Sequence, residues 1–105
     1  MRVLSIMVDG QTLSPINDLS GIVAGSKGYL KCQFTFKDSN WSSMKKIAVF
    51  DNGDKEEAVS LDKAGCCEVP DVITDKTFFR ICLVGVNKNK RIKIKTERLL
   101  INQRR

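Results

Sequence analysis

Leu30, Cys32, Phe34 and Phe36 alternate without a break with Lys31, Gln33, Thr35 and Lys37. Successive side chains of an extended chain point to opposite sides, so a period of two creates one apolar and one polar face. On a helix the same apolar residues would be scattered around the axis. The pattern predicts a half-buried strand over Tyr29–Lys37. It also constrains the rest of the chain, because such a strand needs neighbours in a sheet and a second layer over its apolar face.

Other segments supply those neighbours. Val3–Val8 predicts a first strand, and Lys46–Phe50 a short, continuously apolar one. Glu57, Val59 and Leu61 alternate up to Asp62-Lys63-Ala64-Gly65 before Cys66–Val69, which predicts a hairpin with a four-residue loop. Thr77–Val86 is the most apolar run and suits a central strand, with Asn87–Lys90 as a turn and Arg91–Ile101 as its returning partner. In that return Ile92 and Ile94 share a face opposite Arg91, Lys93 and Lys95, until the parity fails and calls for a bulge or bend near Glu97-Arg98. Gln11–Lys27 predicts a long loop with a short edge strand around Ile22-Val23, and Asp71–Lys76 at most one helical turn. No amphipathic helix is expected. Residues 1–105 therefore read as a single all-β domain, an antiparallel sandwich or small barrel of six or seven strands.

Composition narrows the function. At 105 residues, with 42% apolar and 29% charged residues, the chain suits one ordered domain rather than a disordered segment. It contains no histidine, which removes His-based triads, His general bases and His metal ligands. An enzyme is a poor expectation, and no cofactor is expected. The apolar run after Met1 is too short for a signal peptide, and no stretch approaches the roughly 20 apolar residues of a membrane span. These features predict a complete product of the cytoplasm, with no membrane attachment and with reduced cysteines.

Several motifs have ordinary structural readings. Cys66 and Cys67 are adjacent, so a strand would send one to the core and the other to the surface. They lack the spacing of a metal site, and no metal is expected. Asp51-Asn52-Gly53-Asp54 lacks the ligand order of a calcium loop and predicts a turn. Gly21, Gly25 and Gly28 precede no helix, unlike a phosphate-binding loop.

The sharpest functional signal is charge. Of 18 basic and 12 acidic residues, residues 87–105 hold eight bases and one acid, a net +7, which leaves −1 for residues 1–86. Lys88 and Lys90 at the hairpin tip, with Arg91, Lys93, Lys95 and Arg98 beyond it, predict a cationic surface. Such a surface suits an acidic protein partner, and more weakly a nucleic acid; the same lysines would also protect an edge strand from aggregation. No aromatic residue lies in 87–105 to stack on bases. Trp41 is a candidate partner anchor if exposed and a core residue otherwise. A strand edge could also pair with a second copy.

Two resemblances bear on these expectations. The order Cys32, Trp41, Cys82 resembles the immunoglobulin plan, in which a disulfide joins two strands beside a tryptophan, although Arg80 stands where a corner tyrosine would. The residues alone leave open a disulfide or two buried free thiols. The run Val23-Ala24-Gly25-Ser26-Lys27-Gly28-Tyr29-Leu30-Lys31-Cys32-Gln33-Phe34-Thr35-Phe36, followed by Trp41 and Lys45–Phe50, resembles small β-sandwich proteins of phages and prophages from Gram-positive bacteria. Val59-Ser60-Leu61, Cys67–Pro70, Leu83–Val86 and Arg91–Thr96 are similar to later elements of the same group. The resemblance implies an immunoglobulin-like sandwich without catalytic activity, acting as a virion tail or baseplate interaction module. Its partner would then be a phage structural protein, and its location the host cytoplasm or the virion. The alternative role is a small inhibitor of a bacterial defence complex, an anti-CRISPR-like blocker acting through the basic C-terminal hairpin.

Overall fold

A computed structural model describes all 105 residues. Nine strands form in chain order: β1 (Arg2–Asp9), β2 (Thr12–Pro15), β3 (Leu30–Phe36), β4 (Lys45–Asp51), β5 (Glu56–Ser60), β6 (Cys66–Glu68), β7 (Phe78–Val86), β8 (Ile92–Lys95) and β9 (Leu99–Asn102). The only helical turn is a 3₁₀ segment over Asp71–Ile73. The chain is all-β, in two sheets. One has the order β2-β1-β3-β6; the other runs β5-β4-β7-β8, with β9 also paired to β7.

The alternation in β3 sends Leu30, Cys32 and Phe34 into the core, where they meet Leu4, Ile6 and Val8 of β1. From the second sheet come Ala48 and Phe50 of β4 and Phe79, Ile81 and Leu83 of β7. Eighteen buried residues form one cluster between the layers. Burying each large apolar side chain contributes about 1.5–3 kcal/mol, so the shared face holds the sheets together.

Pairing departs from expectation at several points. β1 runs parallel to β3 rather than antiparallel, because β1 first folds back onto β2 and Ile16–Tyr29 then carries the chain across to begin β3 beside the start of β1. β2 lies within the expected loop, while Val23 makes only an isolated bridge to Arg104. β5 and β6 are not a hairpin: β5 pairs with β4, and β6 pairs with β3 in the other sheet. The Asp62 carboxylate accepts from the Ala64 and Cys66 amides, forming a turn that redirects the chain between layers.

The return after β7 is divided. β8 and β9 both pair with β7, and the gap at Thr96–Arg98 lies where the hydrophobic parity failed. The count of nine exceeds six or seven because that return divides and β2 adds a strand. Val86 pairs with Ile92 and Gly85 with Ile94, with a bulge between them. A bulge adds a residue to one strand and resets its facing. Ile94 consequently turns inward, while Ile92 lies on the outer side and is 63% exposed. The two isoleucines do not share a face.

Candidate interaction surface

The β7–β8 connection is a tightly hydrogen-bonded hairpin. The Asn87 amide donates to the Arg91 carbonyl at 3.0 Å, and the Lys90 amide donates to the Asn87 carbonyl at 3.0 Å. The Asn87 side-chain oxygen accepts from the Asn89 and Arg91 amides. Lys90 has φ +60, a left-handed conformation that glycine or asparagine adopts at lower cost. The strand pattern thus produces a fixed turn with a cation at its tip.

All six predicted cations, Lys88, Lys90, Arg91, Lys93, Lys95 and Arg98, are exposed. None belongs to an ion pair; the three pairs in the molecule are Lys27–Asp75, Lys37–Asp9 and Arg80–Asp51. Register places the β1–β2 turn, the β3–β4 loop and the β7–β8 hairpin at one end of the sandwich. The acids there are outnumbered: Asp9 faces Lys37, Asp38 accepts from the Gly10 and Asn40 amides, and exposed Glu97 is the one acid in residues 87–105. The free charge at this end is therefore positive, an arrangement that attracts an anionic surface.

Trp41 does not belong to this surface. It is 1% exposed, tilted against Phe36, and its indole N–H donates to the Gly10 carbonyl at 3.0 Å. The β3–β4 loop tucks the ring over the end of the core, so Trp41 is not available as a partner anchor.

The cysteines are all free and buried. Cys32 faces the core, whereas Cys82 alternates with Ile81 and Leu83 and so lies on the opposite side of β7. That parity forbids the immunoglobulin-type bond. Cys66 is not at the surface: it is 7% exposed, with its thiol 3.9 Å from the Ala64 carbonyl oxygen. A hydrogen bond with the Cys67 thiol, then burial, pushes the Cys32 thiol well up. Burial also raises Cys82, against the opposing effect of Lys95 and Arg98. Thiols held protonated in this way are poor nucleophiles.

Two features of this region had no sequence signal. Gln11 braces the outer edge of β8 from 84 positions away, its Nε2 donating to the Lys95 carbonyl at 2.9 Å and its own carbonyl accepting from the Glu97 amide at 2.9 Å. Cys82, Val84 and Val49 also line a cleft of about 310 Å³ on the outer face, flanked by Asp51, Lys95 and Arg98. At its margin Arg80 donates to Asp51 at 2.6 Å. Burial works to raise the Asp51 carboxyl, but hydrogen bonds from Arg80 and Gly53 and the charges of Arg80 and Arg98 outweigh it and hold the group low.

The folded carboxyl lies below its unfolded value of about 3.9, so its stabilisation is complete at neutral pH and is lost as pH falls through the folded value. The urea midpoint will drop less on acidification in Asp51→Asn than in wild type. Equal drops would show that the pair contributes nothing.

No protein-family model matches the chain, and no curated protein sequence matches it. No group of three or more Cys, Asp or Glu side chains is arranged to hold a metal ion. No helix is long and apolar enough to cross a membrane.

Proposed function

We propose that this chain is a non-enzymatic, phage-encoded interaction module that docks on an acidic protein surface through the β7–β8 hairpin. The observation that carries this reading is the set of six exposed cations that form no ion pair, carried on the hydrogen-bonded β7–β8 turn, on β8 and on the link that follows it. Ion pairs at a docked surface speed encounter and set orientation more than they add affinity. With Trp41 buried, the surface lacks the aromatic platform that single-stranded nucleic acid uses.

The phage tail or baseplate role rests on the resemblance carried by Val23–Phe36, Trp41 and Lys45–Phe50. An immunoglobulin-like plan is supported by the pairing of β3 with β6 in one sheet and of β4, β7 and the last strands in the other. The parallel β1–β3 pair is a departure from it.

Joint reversal of Arg91, Lys93 and Lys95 to Glu should weaken capture of the acidic partner at least about tenfold and remove most of its salt dependence. Undiminished capture would eliminate the hairpin as the contact. Mass spectrometry of purified virions tests the structural role. Absence from virions, with co-purification of a host defence complex, would replace it with the role of a blocker.

A further inference from the structure

We infer that the open edge of β8 receives an extended acidic segment of the partner as an added strand; this deepens the proposed function and rests on it. β8 is the last strand on its side of the sheet and pairs only with β7. Its outer edge already accepts a visitor. The Gln11 main-chain carbonyl takes one hydrogen bond from the Glu97 amide, and its side-chain Nε2 gives one to the Lys95 carbonyl, two residues apart, so both peptide groups are open to a partner on this edge. Those peptide groups therefore face away from β7, and the Lys95 amide, on the same extended residue as the Lys95 carbonyl, faces that side too.

Next to Gln11 lies a groove of about 490 Å³, walled by Gly10, Asn40 and Met44 on one side and by Ile92–Lys95 on the other. Ile92 from the outer side and Ile94 from the inner side both line it, so the groove follows the strand edge rather than one face of the sheet. Four extended residues span about 13 Å, enough for a short added strand. Main-chain hydrogen bonds would hold the segment, and side chains on both of its faces would select it.

The flanking chemistry defines the occupant. Lys93 and Lys95 are exposed on the strand, Lys88, Lys90 and Arg91 lead into it, and none is neutralised by an acid. Ile92, 63% exposed, adds an apolar contact at one end. A segment with acidic and apolar residues in alternation meets both. Lysines on an open edge repel a second copy of the same edge, so they admit a negatively charged strand while discouraging self-pairing. A nucleic acid could neutralise the cations, but it has no peptide groups to continue the ladder.

The test uses two peptides of alternating Glu and Val, eight residues long, with blocked ends: one ordinary, the other N-methylated at every residue. Both carry the same charge. Titrated into the ¹⁵N-labelled full chain at about 50 mM salt, the ordinary peptide should shift the Gln11 and Lys93–Lys95 amides and slow hydrogen exchange at Lys95. The methylated peptide should bind at least about tenfold more weakly, since it cannot complete the ladder. Equal binding of the two would overturn strand addition and leave the cationic docking surface standing. Failure of both peptides to shift any hairpin amide would overturn the edge proposal and the docking surface together.

Discussion

Trp41→Ala will lower the unfolding free energy by about 3–5 kcal/mol, the range for removing a large aromatic side chain from a core. The ring is 1% exposed and lies against Phe36, with centroids 5.6 Å apart. It also packs closely over β7: a Cβ at Gly85 would come within 3.0 Å of the ring. Loss of the indole would leave a cavity at the end of the sandwich and strand the Gly10 carbonyl that its N–H now satisfies. Gly10 adjoins Gln11, the residue that braces β8. Trp41→Phe keeps most of the packing and loses the hydrogen bond, so its loss should be smaller. Urea unfolding of both variants measures this. Loss of partner capture with a drop below about 1 kcal/mol would instead make Trp41 a surface anchor.

Gly65→Ala is expected to cost about 2–4 kcal/mol, from two sources that add. Gly65 has φ +79, where a side chain is strained by roughly 1–2 kcal/mol. A Cβ there would also lie 2.7 Å from the Phe34 carbonyl oxygen, a main-chain atom of β3 that cannot rotate away. Gly65 accepts from the Phe34 amide at 2.9 Å, so any displacement loosens the β3–β6 pairing that sets Cys32 opposite Cys67. Gly25 provides the control: its φ is +89, but nothing lies within 4 Å of the Cβ position. Gly25→Ala should show the conformational cost alone. Equal losses in the two variants would mean that the contact with Phe34 relaxes freely. Faster labelling of Cys67 by a thiol reagent in Gly65→Ala alone is the second expected outcome.

The hairpin surface was legible because its determinants are local. Asn87–Lys90 is a turn on composition, and the cations crowd into one short segment, so their exposure follows from adjacency and charge. The facing of Ile92 was not legible, because a bulge of one residue inverts the alternation and nothing between Arg91 and Ile94 announces it. Gln11 is a polar residue in a loop-like stretch, and its bond to the Lys95 carbonyl becomes visible only once β1 and β8 are placed in space.

The amino-acid order by itself determined that the chain is built of strands rather than helices, which face of β3 is buried, and where the positive charge gathers. These follow from side-chain period and composition, which act between near neighbours. Only the tertiary structure decided that β1 runs parallel to β3, that the chain changes sheets between β5 and β6, and that Trp41 closes the core. It also decided that Cys32 and Cys82 face opposite ways. Each of these depends on which distant segments pair and in what register, and that choice is made by the shared burial of both layers rather than by any local preference.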